Sequence, residues 1–171
     1  MKRMLLAGVL ALTALSPVRA ADTEANKAVL RSLIEEMWNK HDLSAVDRYV
    51  APDFIEHNKG RPPGIAGRKQ YTEAVLAAFS DYHAGIEDVV AEGDIVVARI
   101  EFTGTQDGAY QGRPATHNQV RFTTADFYRV ANGKIVEHWD VVDGLPRAIA
   151  LGLVPAPQPV NTAAVPSSPR Q

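Results

Sequence analysis

The sequence contains no cysteine. Disulfides, thiolate zinc sites, iron–sulfur clusters and cysteine nucleophiles are therefore excluded, and any chemistry falls to carboxylates, histidine, tyrosine, arginine or hydroxyls. Positive charge is not in excess either: 18 Lys and Arg stand against 20 Asp and Glu. That balance argues against nucleic acid as a partner, because a phosphate-binding surface needs clustered cations. No Gly-rich dinucleotide or phosphate loop, Gly-x-Ser-x-Gly elbow, His-Glu-x-x-His, His-x-His or EF-hand loop occurs. The expectation is a protein with no cofactor and no metal. Long hydrophobic runs are missing too, since the longest, Met4 to Leu15, falls short of the roughly 20 residues that span a bilayer.

What is present divides the chain in three. Residues 1–20 are built like a secretory signal, with Lys2 and Arg3 at the start, the apolar run, and the small-x-small end Val18-Arg19-Ala20. Cleavage is expected before Ala21, giving a periplasmic or secreted protein with no stable membrane insertion. Without Lys2, Arg3 and Arg19 there remain 15 basic against 20 acidic residues, a net charge of −5. Residues 154–171 hold five of the 11 prolines and no apolar periodicity. Such a segment cannot bury enough surface to offset its ordering entropy, so it reads as a Pro-rich disordered tail. One domain, residues 21–153, is left, which is enough for a single core.

Within that domain Leu30, Leu33, Ile34, Met37 and Trp38 recur at helical spacing, predicting an amphipathic helix from near Thr23. Asp42 suits the N-cap of a short second helix over 43–50, which Ala51-Pro52 ends. A short strand over 53–57 follows. The loop Gly60-Arg61-Pro62-Pro63-Gly64 then leads to a third helix from near Gly67. Beyond Ser80 the pattern turns β-branched, and strands are predicted over 84–91, 95–103, 120–130 and 134–142. Glu92-Gly93-Asp94 and Ala131-Asn132-Gly133 are hairpin signals, and a last helix over 145–151 stops at Gly152. Helices first and a mostly antiparallel sheet second make an α+β fold.

Asn26-Lys27 to Trp38-Asn39, Ala51-Pro52-Asp53-Phe54, Ala91-Glu92-Gly93-Asp94, Phe102-Thr103-Gly104-Thr105 and the run from Gly133 to Asp140 together resemble the SnoaL-like polyketide cyclases. That group, often labelled ester cyclase, belongs to the nuclear transport factor 2-like superfamily, and the resemblance covers residues 26–153. It implies a cone-shaped curved antiparallel sheet wrapped around N-terminal helices, with a pocket at its open end. It also implies a general base at Asp140. Two positions depart from the characterised cyclases: Asp126 stands where they have histidine, and Thr124 where they have glutamine.

Strand parity gives a reading of the site that is independent of the family. The spacing His138-x-Asp140 puts both side chains on one face of a strand. A three-residue loop at Ala131-Asn132-Gly133, with Gly133 at a bulge, would set Asp126 opposite His138 and Thr124 opposite Asp140. A two-residue Asn-Gly turn would set Asp126 opposite Trp139 and break the cluster. The bulged register gathers Asp140, His138 and Asp126 as candidate catalytic groups, and Thr124, Phe122, Tyr128, Val136 and Val142 as substrate-binding groups. His57, at the end of the first short strand, is placed at the pocket rim. His41, His83 and His117 fall in loop or edge contexts.

The expected ligand is a small apolar or aromatic molecule. The function these readings support is a cofactor-independent cyclase or isomerase in which Asp140 removes a proton next to a carbonyl, with His138 or a protonated Asp126 stabilising the enolate. A non-catalytic small-molecule binder and an epoxide or ester hydrolase are the alternatives. The hydrolase reading rests on Arg99-x-Glu101, which resembles the Arg-x-Asp of limonene-epoxide hydrolases with Asp140 as the second acid; an outer-face ion pair is the favoured reading of the same residues, since Val96, Ala98, Ile100 and Phe102 form the opposite, apolar face. Ile135, Trp139 and Val141 would leave an apolar outer face, from which a homodimer is expected.

Overall fold

The computed structural model describes residues 20–157; most of the expected signal segment and the tail beyond residue 157 lie outside the described residues. Helix α1 (Ala20–Ile34) starts before Thr23 and passes directly into a wider π-helical turn, Glu35–Asn39. Leu30, Leu33, Ile34, Met37 and Trp38 are all at most 3% exposed, as their spacing predicts. Burying each of these side chains contributes about 1.5–3 kcal/mol, more than helix propensity supplies. The π turn was not legible in the spacing. It closes through Lys40 N to Glu35 O at 3.0 Å, and it aims Asn39 at the sheet. The Asn39 amide donates to Ala84 O at 3.1 Å and accepts from Ala84 N at 2.8 Å.

Helix α2 (Ala45–Tyr49) begins two residues later than predicted, because Asp42 Oδ1 spends itself on a turn, accepting from Ser44 N and Ser44 Oγ. Strand β1 (Val50–Glu56) leads into α3 (Gly64–Ala78), which starts before Gly67, at the glycine after Pro62-Pro63. Strands β2 (His83–Glu92), β3 (Ile95–Thr105), β4 (Gln119–Ala131) and β5 (Lys134–Val142) follow, and α4 (Gly144–Ala150) closes the domain.

The strands form one curved, unclosed sheet in the order β1-β5-β4-β3-β2. The four long strands pair antiparallel, while β1 lies parallel to β5 at the edge. Val96, Ala98, Ile100 and Phe102 of β3 face the helices. On the outer face Arg99 pairs with Asp88 and Arg121 with Glu101. Arg99-x-Glu101 is thus a set of cross-strand ion pairs outside the core.

The register between β4 and β5 corrects the sequence reading. Asn132 (φ 53°) and Gly133 (φ 72°) form a tight two-residue turn, and Ala131 pairs with Lys134. Taken alone, this turn would have put Asp126 opposite Trp139. A bulge then absorbs Val136 between Val130↔Ile135 and Arg129↔Glu137, restoring the parity. Asp126 therefore faces Asp140, Tyr128 faces His138 and Thr124 faces Val142. Asp126, His138 and Asp140 share the inner face as expected, although by a different device and two residues out of the expected register. Ile135, assigned to the outer face, lies before the bulge and is buried in the core at 1% exposure.

Candidate functional site

Strand β1 carries Phe54 into the core, so alternation turns Glu56 inward and Ile55 outward. Because β1 lies beside β5, with His57 N donating to His138 O at 2.9 Å, Glu56 meets His138 across 82 residues of sequence. His138 Nδ1 lies 2.9 Å from Glu56 Oε1, and both side chains are essentially sealed from solvent. The ionised carboxylate can only accept, which puts a proton on Nδ1. His138 Nε2 points towards Asp126 Oδ2 at 3.9 Å, beyond direct hydrogen-bond range.

Arginines from the β1–α3 connection and from α3 complete the cluster. Arg61 donates to Asp140 Oδ2 at 2.5 Å, and Asn58 donates to Asp140 Oδ1 at 2.5 Å. Arg61 also lies 4.5 Å over the Tyr71 ring. Both Arg61 and Arg68 approach Glu56 Oε2 at 3.8 Å. Burial pushes the Glu56 carboxyl up, but the hydrogen bond and charge of His138, then Arg68 and the Asn58 N–H, outweigh it and hold it below its ordinary value. Burial likewise works upward on Asp126, and His138 with Arg61 brings it below the ordinary value. That direction favours the ionised form of Asp126 over the protonated donor expected from sequence. Its Oδ2 accepts from the Tyr128 hydroxyl at 3.1 Å. Burial and the Asp126 charge push that phenol well above its usual range.

Above this floor is a cavity of about 10 Å³, room for roughly one water. Its walls are the rings of Trp38, Tyr71, Tyr82, Phe102 and Phe122, with Val142; its polar lining is Arg61, Arg68, Thr124, Asp126 and Arg147. Thr124 Oγ1, Asp126 Oδ1, Arg68 Nη1, His138 Nε2 and Glu56 Oε2 are buried with no hydrogen-bond partner among the described residues. Native interiors leave few such atoms, and their gathering in one place marks where a polar ligand group belongs. Wider surface depressions, such as one of about 400 Å³ along Asp81, Gly104 and Arg121, contain none of these groups.

Asp126, His138 and Asp140 place one ligand-type atom each within 4.8 Å of one another. Arg61 brings a positive charge to Asp140, and Asn58 takes its other oxygen. That suits proton transfer among the three groups rather than a cation.

Of the residues assigned from sequence, Asp140, His138 and Asp126 do converge, and Thr124, Phe122 and Val142 line the cavity. Three are corrected. His57 lies on the outer face, stacked on Trp139 at 4.3 Å and bonded to Glu137 at 2.8 Å, because Glu56 takes the inward parity. Val136 is the bulge residue and lines nothing in the cavity. Tyr128, 1% exposed, lies beneath the floor as the partner of Asp126 rather than in the wall. Glu56, Asn58, Arg61, Arg68 and Arg147 were missed. The Phe54-x-Glu56 alternation could have found Glu56, since a core Phe fixes the parity of its neighbour two residues on.

Residues 28–151 match the family model described as SnoaL-like polyketide cyclase. The chain belongs to the SnoaL-like polyketide cyclase family. Its fold is shared with AclR from Streptomyces galilaeus, a candidate hydroxylase, at 30% identity and TM-score 0.71 over 78% of this chain and 99% of that one. TsrD from Streptomyces laurentii is similar at 25% identity and TM-score 0.70, covering 77% of this chain and 97% of its own. IdmH from Streptomyces antibioticus, a candidate polyketide cyclase, aligns at 29% identity and TM-score 0.63 over 74% and 98%. No curated protein matches the chain. In this SnoaL-like chain the strand β5 histidine, His138, is paired with the buried Glu56, and Asp126 faces Asp140 across β4 and β5.

Proposed function

We propose that this SnoaL-like protein is a cofactor-independent cyclase or isomerase that removes an acidic proton next to the carbonyl of a small, ring-containing compound. One observation carries the reading: three proton-transfer groups, Asp126, His138 and Asp140, lie within 4.8 Å of one another, and Asp126 lines the aromatic cavity. Asp140 is the base. Arg61 and Asn58 orient its carboxylate, leaving lone pairs on both oxygens to take a C–H proton. The resulting enolate carbon attacks a second carbonyl, or is reprotonated at another carbon, and the proton on Asp140 returns to the product. Arg61, at the same carboxylate, offsets the charge that develops on the enolate oxygen.

Replacing Asp140 with Asn keeps the size and removes the base. Turnover of cyclic or aromatic ketones, esters and lactones with an acidic C–H should fall by about 10²–10⁴, with ligand affinity within a few-fold. Asp126→Asn is the informative companion, because Asp126 Oδ1 faces the cavity without a partner. If Asp140→Asn turns over at the wild-type rate and Asp126→Asn does not, the base is Asp126.

One observation favours a second reading, a non-catalytic binder: both Asp140 oxygens are already engaged, and the cavity is closed down to about 10 Å³. Binding without turnover across a broad carbonyl panel would make this the better account. The N-terminal pattern supports export to the periplasm or medium. An intact mass beginning at Ala21 tests that, and retention of Met1 refutes it.

A further inference from the structure

Charge around the cavity is paired except at one point. Glu56, Asp126 and Asp140 are met by His138, Arg61 and Arg68 at 2.5–3.9 Å. Arg147, the contribution of α4 to the lining, is left over: among the described residues its guanidinium makes no hydrogen bond and no ion pair. It lies instead 5.2 Å over the ring of Phe122. Its charge reaches into the aromatic wall, acting downward on the hydroxyls of Tyr82 and Tyr110 against the burial that pushes both up.

A guanidinium resting on a ring face keeps its five N–H donors in the plane of a fork that matches a carboxylate. Two residues along β4 on the same inner face is Thr124, 3% exposed and lining the cavity, whose hydroxyl has no hydrogen-bond partner among the described residues. One free guanidinium and one free hydroxyl suit a group with a single negative charge and planar oxygens. The rest of the slot suits a flat ring system, since Tyr82, Phe102 and Phe122 stack successively at 5.5 and 5.4 Å, tilted by 23° and 20°.

We propose that the ligand of this cavity is an aromatic carboxylate, its carboxylate received by Arg147 with Thr124 and its ring laid on the Tyr82–Phe102–Phe122 wall. The cavity is closed in this form, and Arg147, only partly buried like Arg61, is the member of its cationic set that no carboxylate holds in place among the described residues. The incoming carboxylate draws Arg147 off Phe122, which frees that ring face for the ligand. The inference rests on the cavity being the ligand site, as in the proposed function, but not on any turnover.

Its test is therefore direct binding to the full chain. The probes are 2-naphthoate and its neutral counterpart 2-naphthalenemethanol, titrated calorimetrically at neutral pH into the wild type, Arg147→Met and Arg147→Lys. The wild type should prefer the carboxylate by about ten-fold or more, the usual scale for a charge-assisted pair. Added salt should weaken the preference, Arg147→Lys should keep part of it, and Arg147→Met should abolish it, the two probes then binding alike. Equal affinity for both probes in the wild type, or a preference that survives in Arg147→Met, overturns the proposal. Binding of neither probe overturns it as well and removes the cavity as a ligand site. Failure of the Asp140 experiment alone leaves this binding result standing.

Discussion

Glu56 is the side chain on which the cluster depends, and Glu56→Gln measures that dependence. The carboxylate is 1% exposed, accepts the His138 Nδ1 proton at 2.9 Å, and lies 3.8 Å from both Arg61 and Arg68. Gln keeps the size and an acceptor for Nδ1 but removes the charge. Arg68, 3% exposed, then has no carboxylate within 4.0 Å among the described residues. Breaking a buried ion pair by neutralising one partner costs about 3–5 kcal/mol, and the surviving neutral hydrogen bond puts this case near the low end, about 3 kcal/mol. For a domain of this size that is a fall in Tm of roughly 10 °C. Urea titration should show a lower midpoint at an unchanged slope.

The pH dependence has a definite sign. Glu56 titrates lower in the folded protein than its ordinary 4.5, so its stabilisation is complete above about 4.5 and is lost as pH falls through the folded value. Gln does not titrate. The stability gap between wild type and variant should thus be full at neutral pH and close progressively in acid. Asp126, shifted in the same direction, is present in both proteins and enters the difference only through the His138 it shares with Glu56. A gap below about 1 kcal/mol at pH 7, or one that widens in acid, would refute the reasoning.

Two further outcomes follow from packing. A Cβ on Gly67 would stand 2.3 Å from Pro62 O and 2.4 Å from Pro62 C, both backbone atoms, so Gly67→Ala must displace the loop that carries Arg61. Stability should fall by about 1–3 kcal/mol in thermal unfolding, and an unchanged Tm would contradict this. The outer face of the sheet exposes Val141 (68%), Ile55 (51%) and Phe127 (37%) around Trp139. We expect a homodimer through that face, now without Ile135, dissociated by Val141→Lys in light scattering; a wild-type monomer at micromolar concentration would sink the idea.

The sequence by itself determined whatever is periodic or local. Leu30 to Trp38 repeat at helical spacing, β3 alternates cleanly from Val96 to Phe102, and Asn132-Gly133 can adopt the left-handed conformations a tight turn needs. Those patterns, with the motifs at both ends of the domain, were enough for the α+β fold and for placing His138 and Asp140 on one face. Tertiary structure alone decided what depends on neighbours distant in the chain. The bulge at Val136 has no residue signature, because it arises where a tight turn must be reconciled with a strand whose polar residues face inward. Glu56 reaches His138 only because β1 docks parallel to β5, a pairing between segments 82 residues apart that no local propensity encodes. Arg61, Arg68 and Arg147 read as ordinary surface cations until the fold brings a loop, a helix face and the last helix over one aromatic wall. Charge in a sequence has no direction; burial and a fixed partner supply it.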